Sequence, residues 1–289
     1  MGRPRSDFAE RTGIVVIVLS EYLFYNADGY DTPENNRCSW GYRLCLGCRL
    51  YYYAGIFGTF VSGGILGARG KLDAGAQTSR SNRNLRLIEK CGGRVHIAGL
   101  EHLRARAGKP TVVVANHMSL LETGLLHSVM RGYQDFSFVV KESLMHVPFF
   151  RHVIRSLDVI PVSRTNPRED LKTMLREGKR ILDSGRSLIV FPQSTRMETV
   201  DPEHFNSIGV KLARSSNVPV LPLALKTDFI ANGRLVRDLG PIRPQRRVCF
   251  EFAPAMEVVG AGQEQQHAIV EFINSRLAEW RKQDGDAKR

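Results

Sequence analysis

The sequence predicts an α/β fold: a mostly parallel sheet flanked by helices, with an N-terminal membrane-associated helical segment. Two observations predict it. From about residue 95 to 255, short β-branched runs alternate with helical patterns, the rhythm of a parallel sheet covered by helices. Ahead of that region, residues 50–68 form an uncharged run of 19 residues bracketed by Arg49 and Arg69. No internal repeat and no low-complexity tract interrupts either part.

The 289 residues suffice for one large α/β domain plus an appendage, and 43% hydrophobic content supplies its core. The reading divides the chain into an N-terminal membrane-associated helical region with a basic linker (1–93), an α/β domain (94–258) and a C-terminal helix with a basic tail (259–289). A net charge of +12 points to a polyanionic partner: nucleic acid, an anionic membrane surface or a phosphorylated substrate. No nucleic-acid-binding motif is present, so the charge is assigned to lipid and phosphate. Five cysteines, an odd number without a periodic framework, argue against a disulfide scaffold. Cys45 and Cys48 make a C-x-x-C with no second pair, so no metal site is expected.

The elements follow in order. Gly13–Ser20 is apolar but too short to span a bilayer. Glu21 follows it without a small-residue cleavage pattern, against a cleaved signal peptide. Residues 26–43 read as a polar loop. In the run 50–68, Gly55, Thr59, Gly63 and Gly67 recur every fourth residue, a small-residue face for close helix packing. Three tyrosines at its start suit a membrane interface, and arginines flank both ends. That charge pattern favours a re-entrant or interfacial hairpin on the cytoplasmic face, paired with residues 11–25, over a simple span; a buried glycine-rich core helix is the alternative. Residues 69–93 are basic and polar, helical near 84–90, and expected to be a solvated face.

Val95–Ile97 carries an edge-strand signal. Strands are expected at 111–115, 136–140, 159–162, 187–191, 218–225, near 235–236 and at 248–253. Helices are expected at 118–131, 144–156, from Asn166-Pro167 to Gly185, and at 205–215. Asn as cap and Pro at the first position start the third of these. Ile269, Phe272, Ile273, Leu277 and Trp280 make the core face of a final helix.

The chemistry centres on residues 111–125, T-V-V-V-A-N-H-M-S-L-L-E-T-G-L. His117 falls at a strand-to-helix junction, where α/β proteins place ligands. Five residues along a helix rotate it about 140° off the same face, so His117 and Glu122 meet only if His117 precedes the helix and Glu122 lies in its first turn. A carboxylate there holds the imidazole in one tautomer and stabilises its protonated form. Ser119 to Glu122 is equally a capping box, S-x-x-E, and the residues alone leave both readings open. Three further stretches end strands: I-P-V-S-R at 160–164, F-P-Q-S-T-R at 191–196 and V-P-V-L-P at 218–222. Arg164 and Arg196 are candidate phosphate ligands, because guanidinium grips phosphate in a bidentate way.

These four blocks, in order and at compatible spacing, resemble the glycerolipid acyltransferase family, the 1-acylglycerol-3-phosphate (lysophospholipid) acyltransferases. The resemblance covers residues 94–256 and includes V-H-I-A-G-L-E-H-L at 95–103 and K-E-S-L-M-H-V-P-F-F at 141–150. It implies transfer of a fatty acyl group from acyl-CoA or acyl-carrier protein, used as co-substrate without another cofactor, to a lysophospholipid hydroxyl. His117 would be the general base and Glu122 its partner. Arg164, Gln193, Ser194, Thr195 and Arg196 would hold the acceptor phosphate, with Asn116, Lys141 and Pro222 in support. Membrane lipids are the implied partners, and no G-x-S-x-G elbow offers a covalent route. Three residues depart from the family pattern: Glu122 stands for Asp, Gln193 for Glu and Ser194 for Gly. They leave open an amino-lipid or glycolipid acceptor, or a non-catalytic lipid-binding homologue. Thioester hydrolysis with water as acceptor shares the same base.

Overall fold

The computed structural model describes residues 22–24, 26–45, 47, 49–193, 195–233 and 239–286. The apolar run at 13–20, its expected pairing through residues 11–25, Cys48, Ser194 and the strand expected near 235–236 lie wholly or partly outside them.

Among the described residues, eight strands form one mixed sheet: β1 (Tyr30–Asp31), β2 (Val95–Ala98), β3 (Val112–Ala115), β4 (Phe136–Lys141), β5 (Ile160–Val162), β6 (Ser187–Val190), β7 (Val220–Lys226) and β8 (Val248–Phe252). Their spatial order is β1-β2-β8-β7-β3-β6-β4-β5. The β1–β2 and β7–β8 pairs are antiparallel and the other five parallel. Val95–Ile97 therefore does not form the edge. A two-residue strand inside the expected 26–43 loop covers it, Tyr30 opposite Ile97. Short edge strands of this kind limit edge-to-edge pairing.

The period-two pleat divides the apolar residues between two cores. Val113 and Ala115 of β3 face one cluster with Leu125, Leu221 and Phe250. Val112 and Val114 face the other with Ile181, Leu212 and Ile273. All three valines have zero exposure, and each such burial contributes roughly 1.5–3 kcal/mol.

The helices are α1 (Trp40–Leu44), α2 (Arg49–Ala68), α3 (Ala74–Lys90), α4 (Leu100–Arg104), α5 (Leu121–Met130), α6 (Phe150–Ser156), α7 (Pro167–Asp183), α8 (Ile208–Ser216) and α9 (Gln263–Asp286). Asn166 caps α7 through its side chain, with Pro167 at the first turn, and Gly185 follows it at φ 84°. The expected 144–156 helix is broken: Glu142–His146 is a 3₁₀ turn and Pro148 precedes α6.

The uncharged run is the helix α2, and its glycines pack against the chain itself. A Cβ on Gly55 would lie 2.5 Å from Leu87 of α3, and one on Gly64 2.6 Å from Phe149 beside α6. Among the described residues, no helix is long and apolar enough to cross a membrane. Residues 74–90 are one continuous helix, solvated along only part of its surface, where Arg83, Arg86 and Lys90 are exposed. Gln77, Thr78, Ser81, Asn82 and Asn84 are buried. Ser81 Oγ donates to Gly124 O at 2.8 Å, and Ser128 Oγ donates to Asn82 Oδ1 at 2.7 Å. A polar seam thus joins α3 to α5, and its bonds offset the cost of burying those side chains.

Candidate active site

Strands β3 to β7 run parallel, so their C-terminal ends share one edge of the sheet. His117 follows β3, Lys141 ends β4, Arg164 follows β5, Phe191 follows β6 and Thr227 follows β7. This is the edge at which open α/β sheets bind ligands.

Helix α5 begins only at Leu121, so His117 precedes it and Glu122 lies in its first turn. That is the one arrangement in which the pair can meet. His117 Nδ1 is in direct hydrogen-bond contact with Glu122 Oε2. The other carboxylate oxygen is fully engaged. Oε1 accepts from Met118 N at 2.7 Å, Ser119 N at 2.9 Å and Thr227 Oγ1 at 2.6 Å. Both sets of contacts are therefore made: one oxygen of Glu122 closes the helix start and the other holds the histidine.

Glu122 is fully buried, whereas the His117 side chain keeps 17% of its surface. The imidazole stacks on Phe191 at 4.6 Å. Arg196 Nε donates to His117 Nε2 at 3.4 Å. With Nδ1 donating to the carboxylate, Nε2 is the nitrogen left to accept a proton.

The His117 main chain is clamped from both sides by the 191–197 loop. Its N–H donates to Gln193 Oε1 at 2.8 Å, and its carbonyl accepts from Met197 N at 2.9 Å. Gln193 Nε2 donates in turn to Thr199 O at 3.1 Å. A glutamine serves both bonds because it accepts and donates; an ionised glutamate would lose the second. Gln193 thus braces the histidine backbone as well as lining the cavity.

A cavity of about 1090 Å³ opens beside this pair, and Lys141, Arg164, Gln193, Thr195 and Arg196 line it with His117. Arg164 sits at φ 63° in a turn shaped by Asp170, which accepts from Ser163 N at 2.8 Å and Arg164 N at 2.7 Å. Asn116 and Pro222 do not line the cavity. Asn116 is fully buried and exchanges two bonds with Leu225, at 2.7 and 2.8 Å, tying β3's end to β7. Pro222 is a buried strand residue opposite Val114. A second histidine, His127, also lines the cavity. Burial, helped by Arg131, pushes it down to about 3, so it is a poor proton acceptor near neutral pH. Among the described residues, no three His, Cys, Asp or Glu side chains gather as a metal site requires.

Sequence reasoning missed Thr227. It is fully buried and also accepts from Ser119 Oγ at 2.9 Å. Lys211 and Arg80 line the cavity as well, from α8 and α3. Thr227→Val is expected to lower kcat about tenfold with KM little changed, and to cost roughly 1–3 kcal/mol of stability by unpairing buried groups. Thr227→Ser should restore both. Steady-state kinetics with thermal unfolding of the two variants checks this.

A histidine–carboxylate pair, braced from three strands, thus stands beside a cation-lined cavity at the ligand-binding edge of an α/β sheet. Comparison with known proteins specifies the class of protein. An acyltransferase family model matches residues 94–226. The 1-acyl-sn-glycerol-3-phosphate acyltransferase of Pseudomonas aeruginosa is 30% identical over 189 residues, covering 65% of this chain and 68% of that protein. A chloroplastic 1-acyl-sn-glycerol-3-phosphate acyltransferase of Arabidopsis thaliana is 26% identical over 132 residues, 46% of this chain and 36% of that one. The crystal structure of the 1-acyl-sn-glycerophosphate acyltransferase PlsC from Thermotoga maritima shares the fold, with TM-score 0.60 and 23% identity over 83% of this chain and 97% of that one. The chain belongs to the glycerolipid acyltransferase family and is an acyltransferase.

Proposed function

We propose that the protein moves a fatty acyl group from an acyl-CoA or acyl-carrier-protein thioester to a hydroxyl of a lysophospholipid such as 1-acylglycerol-3-phosphate, with His117 as general base. The observation that carries this reading is the His117–Glu122 contact beside a cavity lined by His117, Lys141, Arg164 and Arg196. His117 Nε2 takes the proton of the acceptor hydroxyl. The oxygen attacks the thioester carbonyl, a C–O bond forms and the C–S bond breaks. The departing thiolate recovers the proton from His117. Glu122 keeps the imidazole oriented and stabilises its charged form while it holds that proton. Arg164 and Arg196 grip the acceptor phosphate, with Lys141 and Thr195 beside them.

The protein is proposed to work at the cytoplasmic face of a membrane. Trp40, Leu44, Leu50 and Phe57 expose 75%, 62%, 70% and 66% of their surface along α1 and α2, with Arg43 and Arg49 among them. Exposed aromatic and aliphatic side chains interleaved with arginines suit a lipid headgroup layer.

Arg164→Met and Arg196→Met test the acceptor assignment. Each is expected to lower kcat/KM for a phosphomonoester lysolipid roughly 10- to 100-fold, the worth of a charge-assisted hydrogen bond. The loss should be small for an acceptor without phosphate. Equal losses on both acceptors would refute phosphate binding and favour an amino-lipid or glycolipid acceptor.

A further inference from the structure

A second cavity, of about 300 Å³, adjoins the first. It lies between α2, the start of α5 and residues 230–232, closed in part by Leu239. Tyr53 OH donates to Gly240 O at 2.7 Å and Arg49 Nη1 to Leu239 O at 3.3 Å, which joins α2 to that wall. Its lining is apolar apart from a few polar groups, with Tyr52, Ile56, Leu121, Ile230 and Ala231 among the wall residues. Among the described residues, Arg196 is the one charged residue that lines it.

The two cavities share Phe60, Asn84, Leu120, Gly124 and Arg196. Arg196 is also the residue that touches His117 Nε2. One side chain thus stands where the cation-lined cavity, the outward imidazole nitrogen and an apolar chamber come together. A lysophospholipid has three parts radiating from one glycerol: a phosphate, a free hydroxyl and one acyl chain. The reaction proposed above must house two acyl chains, one entering on the thioester and one already on the acceptor. Beyond the side chains assigned to the acceptor phosphate, the larger cavity is also lined by Lys211, Phe138, Phe150 and Ile154, and so offers charge and apolar wall for the donor with its chain.

We infer that the smaller cavity binds the acyl chain already carried by the lysophospholipid acceptor, making Ile56 and Ile230 determinants of which acceptor is used. This rests on the acceptor reading under Proposed function. At roughly 30 Å³ per small group, comparable to a water molecule, the chamber takes on the order of ten chain carbons. Phe57 and Leu239, 66% and 50% exposed, stand at its rim, so a longer chain leaves across an apolar surface. Donor and acceptor chains are then measured by different walls.

The test is a matrix of kcat/KM values for donors and acceptors of graded chain length. It uses the full protein and the variants Ile56→Trp and Ile56→Ala, with Ile230→Phe at the opposite wall. Ile56 is half-buried on α2, so both of its variants are compatible with the fold, and thermal unfolding checks each. Ile56→Trp and Ile230→Phe should shift the optimum to shorter acceptors, with about a tenfold loss per methylene excluded. Ile56→Ala should shift it to longer ones. The donor-length profile should stay as in the wild type. A shift in the donor profile instead, or in neither profile, would overturn the inference. Calorimetric binding of lysophosphatidates of graded length reads the chamber without turnover. Chain-length dependence lost in Ile56→Trp supports the inference even if no transfer occurs, and unchanged dependence refutes it. Absence of transfer by the wild type with every acceptor refutes the underlying reading instead.

Discussion

Replacing His117 with alanine is expected to lower kcat for acyl transfer by about 10²- to 10⁴-fold, the usual worth of a positioned general base. KM should change little, because the cavity-lining side chains Arg164 and Thr195 stay in place. The fold should persist. The His117 main chain remains held by Gln193 and Met197, and Glu122 Oε1 keeps its three donors. Initial rates at saturating substrate, with a thermal melt, distinguish lost chemistry from lost structure. His127 is no substitute base, since burial holds it neutral far below the working range.

Glu122→Gln is expected to be nearly as damaging, for a reason specific to this site. Met118 N, Ser119 N and Thr227 Oγ1 all donate to one oxygen of the carboxylate. A glutamine must therefore place its carbonyl oxygen there and turn its NH₂ toward His117 Nδ1. An NH₂ donating to Nδ1 moves the ring proton to Nε2, the nitrogen that has to accept one. The wrong tautomer leaves no base, and kcat should fall by about 10²- to 10⁴-fold. The helix start keeps its cap, so stability should fall much less than activity. A kcat near wild type would show that Glu122 serves the helix alone.

The parts of this account legible in the sequence are those written locally. Short apolar runs placed β3, β6 and β7, and the Asn166-Pro167 pair placed the start of α7. The five-residue spacing placed His117 against Glu122 once the helix start was known. What stayed hidden depends on contacts between distant segments. Thr227 reaches Glu122 across 105 residues, and Asn116 binds Leu225 across 109. Neither threonine nor asparagine marks such a role by its neighbours. The glycine face of α2 has the small-residue period of a membrane helix pair, yet it meets Leu87, Phe149 and His152 within the same fold. Small residues allow close approach to any helix, so the period alone does not name the partner. The polar seam of α3 reads as solvated for a similar reason: serines and asparagines bury without penalty only when a partner such as α5 supplies the matching groups. Gln193 and Glu122, departures from the family pattern, prove to be bonded members of the site.

The central claim is that His117, held by Glu122, activates a lysolipid hydroxyl. One assay tests it most directly. Purified protein in detergent or lipid receives labelled acyl-CoA or acyl-carrier protein and a panel of lysolipids, with His117→Ala alongside. Labelled diacyl lipid is expected from the wild type, most with a phosphomonoester acceptor, and almost none from a folded His117→Ala. Undiminished transfer by that variant, or free fatty acid as the wild type's main product whatever the acceptor, would contradict the claim.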